Sequence, residues 1–363
     1  MTDNLFNLQD NLQSPGFLRM SLAAAMTLGF KNGLFYRNAK LYCINLLLTY
    51  PEGCAARCAY CGLSGNRPGQ YTEKRFIRVT WPIYALEDII QRILERTHRV
   101  KRICISMITR KRCVPDTLDI CRKLRNAVDI PVSILVSPTL LKYEDLQALK
   151  NAGADKIGVA VDLATEPLFI QYRGKGVGGP HQWDRYWECL RQGVEIFGNG
   201  NAGPHFMAGM GETEKEMSLA MQKSRDMGGR THLFSFFPEA GSLLENKGMP
   251  PMDQYRRIQL ARYLIDHELS RADGFSFDQD QRILHYGLSS EQLETVVNSG
   301  EPFRTSGCSG NDGEVACNRP FANSRPGPDI RNFPFLPDAG DIENIRRQLN
   351  FPCSNKTVTI QRK

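Results

Sequence analysis

The stretch LYCINLLLTYPEGCAARCAYCGLSG, residues 41–65, sets a short apolar run directly against a cysteine cluster. Leu41–Tyr50 reads as a β-strand. Cys54, Cys58 and Cys61 follow it, three thiols inside eight residues at C-x3-C-x2-C spacing. A strand that delivers reactive side chains at its C-terminal end is the unit from which parallel α/β folds are built.

Reading outward, the same alternation continues. Amphipathic segments such as IYALEDIIQRILERTH, DTLDICRKLRNAV, YEDLQALKNAG and HQWDRYWECLRQGVEIF alternate with the apolar runs RICISMI, VSILVS, KIGVAVDL, AGPHFMAGM and THLFSFFPE. GFSFDQD and PFRTS read as two further strands. The fold class is α/β, a (β/α) barrel, full or partial and TIM-like, over residues 40–305, with function in the loops after the strands. Residues 1–39 read as an N-terminal helical cap. Residues 306–363, rich in Gly, Pro, Asn and Ser, read as an irregular C-terminal tail. A tail of this composition is either disordered or organised by something other than an apolar core, and its two cysteines nine positions apart favour a bound metal centre.

Composition bounds the function. The chain has 363 residues, 41% hydrophobic and 23% charged, with a net charge of +7. No apolar run is long enough to span a membrane, and the N-terminus lacks a signal-peptide pattern, so a cytoplasmic protein with no membrane partner is expected. The excess positive charge is scattered, so no nucleic-acid partner is expected. Eleven cysteines in a reducing compartment point to metal or redox chemistry rather than disulfides. Cys121 and Cys189 fall in helical patterns and read as small buried apolar residues.

A structural zinc calls for four ligands in paired knuckles. Three thiols in one loop instead suit a [4Fe–4S] cluster with one iron left open. This spacing, the position after the first strand and the aromatic Tyr60 resemble the radical S-adenosylmethionine (SAM) superfamily. The resemblance implies that Cys54, Cys58 and Cys61 are the catalytic metal ligands. It implies further that the open iron chelates SAM, whose reductive cleavage yields methionine and a 5′-deoxyadenosyl radical. The segment HFMAGMGET resembles the strand and glycine turn that touch SAM, which implicates Gly209, Gly211 and Glu212. AVDLATEPLF resembles the biotin-synthase branch and implicates Asp162 and Glu166. Arg173 is placed to meet the SAM carboxylate as a bidentate donor. The glycine-rich cofactor segment usual after the second strand is replaced by ISMITR.

The tail holds a second pair, Cys308 and Cys317, in SGCSGNDGEVACNRP, with NFP further on. The Ser-Gly-Cys … Cys-Asn-Arg-Pro pattern resembles the two-component, archaeal-type lipoyl synthases. That resemblance implies a second, auxiliary iron–sulfur cluster, sacrificed as the sulfur source. Cys308 is expected at the C-terminal end of the last strand. A third ligand is sought among Cys43, which is preferred, Cys104 and Cys353, with Ser306 and Arg282 as further options. The expected activity is sulfur insertion into a protein-bound octanoyl chain. Its expected partners are a lipoyl-domain carrier protein or other octanoylated substrate, a second radical SAM lipoyl synthase subunit and an electron donor of ferredoxin or flavodoxin type. The alternatives are a biotin-synthase-like or carbon-skeleton-rearranging enzyme acting on a small molecule, and a non-catalytic iron–sulfur protein.

Overall fold

A computed structural model describes residues 12–318 and 330–350. Cys353 and the Arg319-Pro320 end of the tail motif lie outside the described residues. The main sheet has eight strands in the order β3-β1-β2-β4-β5-β6-β7-β8. These are β1 (Phe17–Met20), β2 (Cys43–Leu48), β3 (Ile83–Ala85), β4 (Arg102–Ser106), β5 (Val132–Val136), β6 (Ala154–Asp162), β7 (Ala202–Ala208) and β8 (His232–Ser235). From β2 through β8 the pairings are parallel. Helices α1 (Leu22–Thr27), α2 (Leu86–Glu95), α3 (Cys113–Ala127), α4 (Tyr143–Asn151), α5 (Glu166–Tyr172), α6 (Trp183–Phe197), α7 (Glu214–Asp226) and α8 (Met252–Asp266) lie in and around the connections. The result is a partial barrel, its two end strands being β3 and β8.

Strands buried on both faces explain the near-continuous apolar runs: every residue of β2 is buried. Register fixes which side chains face inward. Asn45 stands opposite Cys104, Ser133 opposite Cys104 on the other side, Gly158 opposite Gly203, and His205 opposite His232. Cys121 and Cys189 are fully buried on α3 and α6, filling core positions.

Three segments differ from the sequence reading. The expected helical cap contributes β1, which pairs antiparallel with both β2 and β3. Arg19 secures it: its buried guanidinium donates to the carbonyls of Trp81 and Tyr71, each at 2.9 Å. GFSFDQD does not join the barrel. It forms β9 (Ser276–Phe277), paired only with β10 (Ile283–His285). Asp278 explains this, because its carboxylate accepts from the backbone N–H groups of Asp280 and Arg282, both at 2.9 Å, and turns the chain back on itself. PFRTS begins instead with the 3₁₀ turn Glu301–Phe303, where Pro302 has no N–H to offer a ladder. Helices α9 (Ser290–Asn298) and α10 (Ala339–Gln348) pack outside the sheet. Among the described residues no helix is long and apolar enough to cross a membrane.

Candidate active site

The cysteine loop leaves the end of β2 and is held from three sides. Ala55 N–H donates to Thr109 O at 2.9 Å, Ala59 N–H to Tyr172 O at 2.8 Å, and Gly65 N–H to Ala56 O at 2.7 Å. Gly53 has φ +65°, and a Cβ there would meet the Tyr71 ring at 2.8 Å, so the entry turn requires glycine. Arg110, the last residue of ISMITR, clamps the same turn by donating to the carbonyls of Glu52 and Gly53. In ISMITR, which stands in place of a glycine-rich segment, the chain places a residue that shapes the cysteine loop.

Cys54, Cys58 and Cys61 line one cavity of about 230 Å³ at the C-terminal ends of the strands. Burial pushes the Cys58 thiol up to about 11, against the lowering effect of the nearby Arg173 guanidinium. Burial raises Cys61 as well, and its cysteine neighbours add to the rise. Cys58 and Cys61 resist ionisation by themselves, and with Cys54 on the same cavity they form a donor set that cationic iron would satisfy, since metal binding supplies the charge that burial withholds. The loop chemistry thus fits a cluster with Cys54, Cys58 and Cys61 as its ligands.

A buried polar chain closes the cavity beside Cys58. Asp162 sits after a register shift in β6, with φ +66°, which turns its carboxylate off the strand line. Tyr60 Oη donates to Asp162 Oδ2 at 2.5 Å, and Arg173 Nη1 donates to the same oxygen at 2.6 Å. Burial keeps the Tyr60 phenol protonated. Arg173 is 6% exposed and also donates to the Ala160 carbonyl, and to Tyr186 Oη at 3.2 Å. His181 Nδ1 lies 2.9 Å from that phenol and 2.6 Å from Thr139 Oγ1. Arg173 Nε has no hydrogen-bond partner among the described residues.

Tyr60, Asp162 and Arg173 therefore converge on the thiols. Glu166 stands elsewhere, exposed in the first turn of α5. Glu212 is buried and accepts from the N–H groups of Gly209 at 2.7 Å and Met210 at 2.9 Å. Its role in the structure is to fix the turn, in which Gly209 and Gly211 have φ of +101° and +129°.

Cys308 and Cys317 lie at the opposite end of the barrel from the expected one. Ser306 receives the backbone N–H of Leu233 on its hydroxyl at 2.7 Å, and His232 Nδ1 approaches its carbonyl, so the tail meets the first residues of β8. Buried Arg102, at the start of β4, donates to Ser309 O at 2.6 Å and pairs with Asp155 at 2.6 Å. The pair borders a small cavity of about 20 Å³ together with Cys104, His205 and His232. Cys43 does not line it; its sulfur lies 3.4 Å from Asn45 Nδ2. Arg282 is exposed on the β9–β10 hairpin, far along the chain's surface beside Asp280 at 3.9 Å. His205 and His232 went unnoticed in the sequence. The usable signal was their inward register on β7 and β8, two residues before Met207 and Phe234. Leu135, His205 and Phe234 line both cavities and so form the wall between them.

Residues 48–222 match the family model described as Radical SAM superfamily. No curated protein sequence matches the chain significantly. Among solved structures, the FeFe-hydrogenase maturase HydG from Carboxydothermus hydrogenoformans aligns at 14% identity and TM-score 0.49, over 68% of this chain and 56% of that one. The radical S-adenosylmethionine methyltransferase TsrM from Kitasatospora setae aligns at 13% identity and TM-score 0.40, over 87% and 62%. Coproporphyrinogen III oxidase (HemN) from Escherichia coli aligns at 14% identity and TM-score 0.37, over 68% and 56%. The chain spans less than two thirds of the length of each of these proteins.

Proposed function

We propose that this chain, whose residues 48–222 form a radical SAM superfamily domain, inserts sulfur into an unactivated carbon of an octanoyl chain carried on a protein. The domain makes the chain a radical SAM enzyme and implies a [4Fe–4S] cluster and SAM. When bound, that pair supplies a 5′-deoxyadenosyl radical able to take a hydrogen atom from carbon. The finer reading rests on one observation: the cavity of Cys54, Cys58 and Cys61 and the cavity of Cys308 and Cys317 share a wall of Leu135, His205 and Phe234. An acyl chain entering the upper cavity comes to rest between the thiols that support radical formation and those that would hold a sulfur source. Short separation is what such a transfer demands, about 3–3.5 Å between reacting atoms.

The chain's own residues divide the work. Cys54, Cys58 and Cys61 hold the first cluster. Asp162 fixes Tyr60 and Arg173 against Cys58, and the Arg173 guanidinium supplies positive charge on the side of the cavity proposed for the SAM carboxylate. The apolar side chains Met207 and Phe234 exclude water around the acyl chain. Cys308 and Cys317 hold the second cluster, with a third thiol from β2 or β4. A net charge of +7 suits an acidic lipoyl-domain carrier. A second radical SAM subunit and a ferredoxin- or flavodoxin-type donor complete the proposed system.

Anaerobic reconstitution of wild type against Cys308→Ala/Cys317→Ala tests the two-cluster arrangement: iron should fall from about eight to about four per chain. Equal iron in both proteins overturns it and favours a single-cluster enzyme that rearranges a small molecule. Incubation with an octanoylated peptide, SAM and a reductant should add the mass of sulfur to the peptide. SAM cleavage with no sulfur gain sinks the sulfur-insertion reading.

A further inference from the structure

We propose that the rim of the upper cavity is the docking surface for a folded carrier domain with an acidic face, which sits on the cysteine loop and on the loop after β8 while its acylated arm enters the cavity. This surface extends, and rests on, the protein-bound substrate proposed above. A folded domain cannot enter a cavity of about 230 Å³, so its body must be recognised outside the entrance. The net charge of +7 is scattered along the sequence, but the fold gathers it there. Residues 49–82, between β2 and β3, carry five Lys or Arg and two Glu, and residues 107–112, after β4, carry Arg110, Lys111 and Arg112 and no acidic residue. Together they supply a net +6 of the chain's +7.

Contacts join these charges into one surface. Arg110 donates to the carbonyls of Glu52 and Gly53, which sets Lys111 and Arg112 beside the entry to the cysteine loop. Arg67 Nη1 donates to Gly62 O at 2.7 Å and to Arg75 O at 3.3 Å, and Lys74 Nζ donates to Ser64 O at 2.9 Å, so the second half of the loop is folded back on the first. Arg57 Nη1 would stand 3.1 Å from a Cβ on Gly178, which brings in the 3₁₀ turn Lys175–Val177. Inside the rim, Arg78 lines the cavity and lies over the Phe237 ring, 3.7 Å from its centroid. Arg57, Arg75, Lys111 and Lys175 are exposed and have no ion pair among the described residues, whereas Arg112 lies 3.6 Å from Asp116.

Basic charge alone would also suit a nucleic acid, and the loop after β8 argues for a protein. Leu243 and Met249 are 66% and 48% exposed on it. Leu244 N–H donates to Ala59 O at 3.2 Å, which ties this loop to the cysteine loop. Arg67 Nε would stand 2.9 Å from a Cβ on Gly241, so a guanidinium borders the same loop two residues from Leu243. The carboxylates there turn to backbone: Glu239 accepts from Arg78 N–H and Glu245 from Gly241 N–H, each at 2.7 Å. Exposed aliphatic side chains beside Arg and Lys match a protein interface, apolar at its core and polar at its edge. A phosphate backbone is met instead by an unbroken basic stripe. Acidic charge on the partner complements this rim and speeds the encounter.

The test compares two substrates on the full-length, reconstituted protein: an octanoylated lipoyl domain of net negative charge and a short uncharged peptide bearing octanoyl-lysine. Arg75→Glu/Lys111→Glu/Lys175→Glu should raise KM for the domain about tenfold, leave KM for the peptide within about twofold and leave SAM cleavage unchanged. With wild type, KM for the domain should climb as ionic strength rises from about 0.05 to 0.3 M. Lys31→Glu/Lys40→Glu/Arg99→Glu removes equal charge on the exposed segments that enter β2 and β4, and should leave KM for the domain within about twofold. An equal rise in both triple variants, or no rise in the first, overturns the docking surface. Salt-sensitive binding of a mixed-sequence RNA that is lost in the first variant, with the domain's KM unmoved, overturns it too and makes the rim a nucleic-acid face. If neither substrate gains sulfur, the sulfur-insertion reading has failed on its own account. Titration of the octanoylated domain onto wild type and both variants then decides the rim: binding about tenfold weaker in the first variant alone upholds it, and equal affinity overturns it.

Discussion

At the scale of single residues, Arg173 carries the largest burden beside the thiols. It balances Asp162, touches three backbone or phenol oxygens and stacks 4.8 Å from the Tyr186 ring centroid. Arg173→Met leaves the Asp162 carboxylate, about one fifth exposed, with only Tyr60 as partner. The expected loss is about 3 kcal/mol of folding stability, read as a lowered urea midpoint. An unchanged midpoint would show that the pair is dispensable to the fold. His181 offers a pH test. Burial, and secondarily Arg173, push its pKa down to about 2, so the folded protein holds it neutral. The unfolded chain binds its proton near pH 6.5, so stability falls as pH drops below that value. Compared with His181→Gln, wild type should lose about 1.4 kcal/mol more per pH unit between about pH 6 and 4. Parallel stability curves for the two proteins would refute this.

Elements decide where these residues meet. The three-cysteine loop, most of the strands and the helices α2 to α4 and α6 to α8 were legible from local sequence, because local pattern and tertiary burial agree there, while the short helix α5 was not read. GFSFDQD had the composition of a strand, yet the Asp278 carboxylate captures two backbone N–H groups and makes a hairpin turn. A side chain competing for its own backbone leaves no trace in hydrophobic periodicity. The tail shows the same limit. Gly307 looks like one more glycine in a loop, but the Cys317 carbonyl occupies the space that a Cβ there would need. Gly307→Ala should force Cys308 and Cys317 apart. The iron of the second site should fall to near zero while SAM cleavage persists, checked by metal analysis beside a 5′-deoxyadenosine assay. Full iron in this variant would mean that the turn can reseat without the contact.

The whole molecule is a partial barrel with thiols at both ends. The upper three were expected at the strand C-termini; the lower two were placed there by sequence order and are instead at the N-termini. Arg102 explains how: its buried side chain joins β4 to the exposed Asp155 and to the tail carbonyl of Ser309. Separate ends predict separable functions. Cys308→Ser should retain SAM cleavage within about twofold and abolish sulfur gain on an octanoylated peptide. Cys54→Ala should abolish both, by mass analysis of the same reactions. Loss of SAM cleavage in Cys308→Ser would mean the two ends are not independent.

What the sequence determined by itself was the parallel α/β class and the site built within one loop. Cys54, Cys58 and Cys61 are neighbours along the chain, and their meeting needs no folding to be foreseen. Only the tertiary structure decided that Tyr60, Asp162 and Arg173 share one carboxylate, and that the tail returns beneath the barrel to bring Cys308 beside His232. Those contacts join residues tens to hundreds of positions apart. They are fixed by strand register, one positive φ at Asp162 and one crossing that admits only glycine, and none of these is written in local periodicity.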